Sequence, residues 1–168
     1  MQIDAYLHSP SMADAGPLAA EAESMGFDGV CVTETTHSPY TALSLAAQAT
    51  TEIDVGSAIA VAFPRSPMVT AYTAWDLQAM SGGRMSLGLG TQVKGHMERR
   101  FSVDFEWEKP GPRLREYVEV VTHLWEAWAT GSEVDYHGEC YEITLCPDNF
   151  RPPAIDADRP EIGVAGVN

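Results

Sequence analysis

Lysine is almost missing from this chain: Lys94 and Lys109 are the only two among 168 residues. Lysine and arginine together number 10 against 24 Asp and Glu, a net charge of −14. Such a chain repels nucleic acid and anionic membrane surfaces. Cysteine is also scarce. Cys31, Cys140 and Cys146 form an odd set without a C-x-x-C spacing, which argues against a disulfide framework. No apolar run approaches the roughly 20 residues of a membrane helix. The opening Met1-Gln2-Ile3-Asp4 lacks the basic start and hydrophobic run of a secretory signal. The expectation is a cytoplasmic protein. Its histidines are scattered without metal-ligand spacing, so no metal site is expected. GxSxG, P-loop and HExxH patterns are absent. An acidic, lysine-poor composition suits either a halophilic, salt-rich cytoplasm or an ordinary acidic soluble protein.

What the sequence does contain is an alternation of short apolar runs and amphipathic stretches. Ile3 to Leu7 reads as a first strand. A helix over 13–25 follows, with Ala15, Leu18, Ala19, Ala22 and Met25 on one face and Gly26 as its stop. Gly29 to Thr33 is nearly continuous in apolar residues, as a strand buried on both faces would be, which makes Cys31 a core residue. Pro39 opens a second helix that ends near Thr50. Ile53 to Ala62 is the third strand, and Ser66-Pro67 supplies an N-cap and N1 proline for the third helix. Met85 to Leu89 is the fourth strand, closed by Gly90. A long polar loop runs from Thr91 to Pro112. The fourth helix spans about 113–130, with Leu114, Tyr117, Val118, Val121, Trp125 and Trp128 as its buried stripe. Alternation around His137-Gly138-Glu139 predicts a β-hairpin. A proline-rich connection then leads to a fifth strand-like run, Ile162 to Gly166.

Alternating strands and helices imply a parallel sheet. An open doubly wound sheet and a (β/α)8 barrel both fit the strand spacing. In either, the site lies at the carboxyl ends of the strands. Glu34 and His37, after strand two, are the acid–base candidates; both also suit a plain helix-capping loop before Ser38-Pro39. Gly88-Leu89-Gly90-Thr91-Gln92-Val93 begins like a dinucleotide fingerprint, but Val93 replaces its third glycine. Gly90 could admit a flat ligand close to the backbone, with Thr91 and Gln92 as hydrogen-bonding groups, or could serve sheet geometry alone. The tryptophans and methionines at helical spacing are read as core.

Several segments together resemble the luciferase-like monooxygenase superfamily. They are Phe27-Asp28-Gly29-Val30, Thr33-Glu34, His37-Ser38-Pro39-Tyr40, Phe63-Pro64-Arg65-Ser66-Pro67, and Leu77 through Ser81-Gly82-Gly83-Arg84 to Gly88-Leu89-Gly90. The run Gly90 to His96, with Arg100-Phe101, is similar to the branch of coenzyme F420-dependent oxidoreductases. The resemblance extends over the whole chain. It implies an α/β fold, a partial (β/α)8 TIM barrel: one domain over 1–168 with five parallel strands, a hairpin insertion before strand five, and no strands six to eight.

It further implies an enzyme that moves a hydride between F420, or alternatively FMN, and a small organic substrate, or that activates oxygen with reduced flavin. Glu34 and His37 are the nearest matches to the family's acidic or histidine residue after strand two. Ala58-Ile59 matches a non-prolyl cis peptide that backs the cofactor ring. Gly90, Thr91 and Gln92 match strand-four cofactor contacts, and Ala165 and Gly166 match a backbone patch near the cofactor phosphate. Some F420 enzymes carry an acidic glutamate where this chain has Val93. A half barrel exposes sheet edges, so a homodimer or a complementing C-terminal half-barrel chain is the expected partner. The rival expectation is a non-catalytic remnant or subunit that binds a partner chain.

Overall fold

The computed structural model of the protein describes residues 1–103 and 109–166. They form two compact units. The first comprises 1–60, 73–89 and the residues from 156 on; the second comprises 61–72 and 90–155. The elements, in chain order, are β1 (Asp4–Leu7), α1 (Met12–Ser24), β2 (Gly29–Val32), α2 (Pro39–Ala49), β3 (Asp54–Ser57), β4 (Ala60–Val61), α3 (Pro67–Ser81), β5 (Met85–Gly90), α4 (Lys94–Arg99), α5 (Pro110–Thr130), β6 (Tyr136–His137), β7 (Glu142–Ile143), a 3-10 turn (Asp148–Phe150) and β8 (Glu161–Val164). The architecture is α/β and corresponds to part of a (β/α)8 barrel.

The first unit is organised by parallel pairing of β1 with β2, β2 with β3, β3 with β5, and β5 with β8. One register row crosses all five strands through Tyr6, Cys31, Gly56, Ser86 and Glu161. Side chains alternate between the two faces of such a sheet. Val30, Val32, Val55, Leu87 and Leu89 lie on one face and are fully buried, each contributing roughly 1.5–3 kcal/mol of apolar burial. Asp4 and Tyr6 stand exposed on the opposite face. Cys31 belongs to that opposite face, which corrects its reading as core. It is half-buried, with its thiol 4.0 Å from the Asp4 carboxylate. Desolvation and, secondarily, the Asp4 charge push that thiol's pKa up.

Helix α1 starts at an N-cap, Ser11, whose hydroxyl accepts the Asp14 N–H at 3.2 Å. It stops at Gly26, where φ is +83°. Its buried side is made of small residues, Ala15, Gly16, Ala19 and Ala22. Leu18 and Met25, expected on that side, are exposed, as is Met80 on α3; small residues, not large ones, serve as the packing face of α1.

The third strand is not continuous. It splits into β3 and β4, and the Ala58–Ile59 peptide between them is cis. Gly88 is required by close approach: a Cβ there would stand 1.9 Å from the Ser57 carbonyl oxygen. Ser57 fastens that crossing in both directions. Its hydroxyl donates to the Gly88 carbonyl at 2.9 Å and accepts the Gly88 N–H at 3.0 Å.

Arg84, the arginine of the Ser-Gly-Gly-Arg segment, has a structural task within the first unit. Its guanidinium donates to the carbonyls of Ser81 (2.7 Å), Ala47 (3.3 Å) and Thr50 (3.0 Å), to the Thr50 hydroxyl (3.0 Å) and to the Ile53 carbonyl. It thereby satisfies carbonyls left open where α2 ends.

The second unit packs around α5, whose Tyr117, Val120, Val121, Leu124 and Trp125 are completely buried. The helix begins at Pro110, one turn before the position read from periodicity, because Pro110 is at its N-terminus and proline is well suited there. Gly131, at φ +75°, ends it. Trp125 Nε1 donates to the Ala71 carbonyl at 3.1 Å, and Tyr72 stacks on Trp128 with centroids 4.9 Å apart. The predicted hairpin is present, as β6 antiparallel to β7. His137, read as part of the turn, instead pairs with Glu142, so the turn spans 138–141. The Glu116 carboxylate organises that turn by accepting the N–H groups of Cys140 (2.8 and 3.0 Å) and Tyr141 (2.8 Å). The polar run after β5 contains the short helix α4, preceded by exposed Val93. The long polar loop from Thr91 to Pro112 includes residues 104–108, which lie outside the described residues, as do residues 167 and 168.

Candidate functional site

In the first unit the carboxyl ends of the strands carry most of the residues picked out by sequence. The Thr33 N–H donates to the Leu7 carbonyl at 3.4 Å and the Ala58 N–H to the Val32 carbonyl at 2.9 Å. These bonds extend the β1–β2–β3 register past the strand ends, setting His8, Thr33 and Ala58 in one row. Glu34 comes next and is only 8% exposed. Its N–H donates to the Ile59 carbonyl at 3.3 Å, which joins the Glu34 loop to the Ala58–Ile59 bend. The loop after β2 is also tied to the loop after β1. Ser9, at φ +49°, accepts the Thr36 N–H at 3.2 Å and shares a 3.0 Å hydroxyl contact with Thr36. His37 lies beyond this tether. It is exposed and has no hydrogen bond or ion pair among the described residues.

On the other side of the sheet, the Ala165 N–H donates to the Leu89 carbonyl at 2.9 Å, and Gly163 pairs with Gly88. Gly163, Ala165 and Gly166 are all exposed. A Cβ added at Gly166 would meet nothing within 4 Å, and one at Gly163 only the Gly88 Cα at 3.9 Å. The backbone here is bare enough for a flat group to lie against it.

The second unit holds Gly90, Thr91 and Gln92. The Gly90 carbonyl accepts the Ala62 N–H at 3.0 Å. Thr91 donates its hydroxyl to the Gln92 carbonyl at 3.1 Å, and Gln92 adopts φ +60°.

One residue was passed over in the sequence. Thr33 is 7% exposed, and its hydroxyl oxygen, fully buried, has no hydrogen-bond partner among the described residues. An unsatisfied buried hydroxyl costs about 1–3 kcal/mol, and such groups in native proteins have reasons to exist. Strand alternation was the available signal: it sets Thr33 on the same face as Cys31, at the carboxyl end. This orphaned hydroxyl, the half-exposed Ala58–Ile59 backbone and the bare Gly163–Gly166 stretch fit a flat heterocycle with polar edges. A flavin or deazaflavin is such a group. Among the described residues, no cluster of three or more His, Cys, Asp or Glu could hold a metal, and no helix is long and apolar enough to cross a membrane.

Comparison with known proteins decides the family. The family described as luciferase-like monooxygenase matches residues 1–168, the whole chain. The chain belongs to that family. A Mycobacterium tuberculosis relative, uncharacterized protein Rv1360, is 40% identical over 156 residues, covering 93% of this chain and 45% of the relative. The putative coenzyme F420-dependent oxidoreductase Rv3520c of the same organism is 35% identical over 133 residues, 76% of this chain and 36% of the relative. This member thus spans less than half the length of the curated relatives it matches. The FMN-bound oxygenating constituent of Pseudomonas putida 3,6-diketocamphane monooxygenase superposes with a TM-score of 0.79 at 16% identity, over 99% of this chain and 51% of that one; this likeness shows the fold.

Proposed function

We propose that this chain contributes the amino-terminal strands of an oxidoreductase that binds F420, with FMN as the alternative, and acts on a small organic substrate. The observation that carries the reading is the 3.3 Å bond between the Glu34 N–H and the Ile59 carbonyl. It brings the acid–base candidate and the proposed ring support to the same carboxyl-terminal rim. Family membership and the name of a 35%-identical relative, a putative coenzyme F420-dependent oxidoreductase, support the choice of cofactor.

In this proposal Ala58 and Ile59 would support the ring. Ala165 and Gly166 would present backbone to the phosphate-bearing side chain. When bound, the (deaza)flavin supplies hydride transfer. The protein positions it and moves protons. Glu34 holds or passes a proton from the rim, and exposed His37 assists from the loop. Titrating the purified chain with F420 and with FMN in parallel tests the binding. Saturable binding of one of them is expected, and binding of neither would refute the proposal. In an assembly that turns over, Glu34→Gln should slow hydride transfer at least 10-fold, and His37→Ala should slow it to a lesser extent.

A partner chain is part of the proposal. Among the described residues β1 pairs only with β2 and β8 only with β5, so both strands present an open edge. Val164 on β8 is 55% exposed. Open edges of this kind recruit another chain, here a second copy or a complementing half-barrel. Light scattering should find the isolated chain larger than a monomer. A strictly monomeric chain that is stable and binds no other protein would exclude this part.

A further inference from the structure

The sequence directs attention to His37, but the sheet register favours another histidine. His8 follows Leu7, which pairs with Val32, and Val32 pairs with Ser57. With the Thr33 and Ala58 backbone bonds, the row continues as His8, Thr33, Ala58 across the carboxyl ends of three adjacent strands. Alternation puts His8 on the same face as Tyr6. The two rings stack at 6.4 Å with an interplanar angle of 29°, which confirms that they share it. That face is the one turned away from the buried valines of β2 and β3. His8 is exposed, and neither imidazole nitrogen has a hydrogen bond or ion pair among the described residues.

Adjacent strands stand about 4.8 Å apart, so Ala58 and His8 are separated by about 10 Å of sheet. A three-ring system resting on Ala58–Ile59 bridges that distance. Thr33, in the middle of the row, brings the one buried side-chain oxygen there that lacks a partner. His37, by contrast, lies in the loop beyond the Ser9–Thr36 tether.

We infer that His8 is the histidine that faces the bound ring system, with the imidazole free to hydrogen-bond the ring's polar edge or the substrate oxygen next to it. The inference rests on the cofactor site proposed above. It is independent of the acid–base roles given to Glu34 and His37.

The test uses the whole 168-residue chain. Its five histidines are followed by their imidazole C–H proton resonances during separate titrations with F420 and FMN. His8→Asn and His37→Asn assign the two signals. The expected result is that the His8 signal moves along the binding isotherm, through the ring current of the ligand, and moves further than that of His37. His8→Asn should also weaken binding about 3- to 10-fold, the loss of one hydrogen bond, without lowering the melting temperature of the free protein. Binding that leaves the His8 signal unmoved, or that moves His37 more, overturns the inference and leaves the cofactor site standing. A lower melting temperature for free His8→Asn, with unchanged affinity, also overturns it by making His8 structural. Absence of binding to either compound overturns the cofactor site itself, and this inference with it.

Discussion

Glu34 and Ile59 are joined through the backbone, the N–H of the first donating to the carbonyl of the second at 3.3 Å. The bond links the exit of β2 to the bend between β3 and β4. It holds a nearly buried carboxylate-bearing residue over the sheet's carboxyl end, although Glu34 is beyond the last paired residue of its strand.

Glu23 contributes to the acid sensitivity of the first unit. Its carboxylate accepts the N–H groups of Thr51, Glu52 and Ile53 at 2.9, 2.7 and 3.0 Å. The Glu52 bond, then those of Ile53 and Thr51, hold its pKa below the usual value of 4.5. A depressed folded-state pKa means that the contribution is complete above the unfolded value and is lost as pH falls through the folded one. Glu23→Gln should therefore lower the urea midpoint at pH 7. Its deficit relative to wild type should shrink steadily in unfolding curves taken below about pH 4. A deficit that is the same at both pH values would contradict this.

Arg84→Ala strips the guanidinium from the carbonyls of Ala47, Thr50, Ile53 and Ser81. The expected loss is about 2–4 kcal/mol in urea denaturation, the effect of unpairing several part-buried acceptors at once. Arg84→Lys should recover less than half of it, because an ammonium cannot span the fork of acceptors. A lysine variant as stable as wild type would show that charge, not geometry, matters there.

The two paired glycines Gly88 and Gly163 should behave differently. A methyl group at Gly88 would collide with the Ser57 carbonyl, whereas at Gly163 the nearest atom is at 3.9 Å. Gly88→Ala should cost about 3 kcal/mol or more through overpacking against backbone, and Gly163→Ala should stay within about 1 kcal/mol. Thermal unfolding of the two variants side by side checks this. Equal effects would mean that the crossing at Ser57 is looser than described.

With a net charge of −14, the protein should gain stability from salt. Screening shortens the range of repulsion from about 30 Å at 0.01 M to about 3 Å at 1 M. The melting temperature is expected to rise between dilute buffer and molar KCl. A flat response would remove the salt-adapted reading of its composition.

The strand–helix alternation was legible because buried parallel strands are nearly continuous apolar runs, as in Gly29–Val32 and Met85–Gly90. The split of the third strand was not visible in the apolar run from Ile53 to Ala62; residues 58–59 were singled out only through family resemblance. Periodicity overstated Leu18 and Met25, because it cannot tell which arc of an alanine-rich helix makes the contact. Glu34 was legible from its position after strand two and from the family resemblance. Thr33 and His8 were not, since their significance lies in register across strands, which spacing along one chain does not encode.

The central claim is that the carboxyl ends of β2, β3 and β8 receive one flat redox ligand. Amide hydrogen exchange read by mass spectrometry, with and without saturating F420 or FMN, tests it most directly. Protection is predicted at 32–36, 57–60 and 163–166, with the amino ends of the same strands, near Asp4, Gly29 and Asp54, unchanged. Protection centred on those amino ends, or none at the carboxyl ends despite binding, would contradict the account.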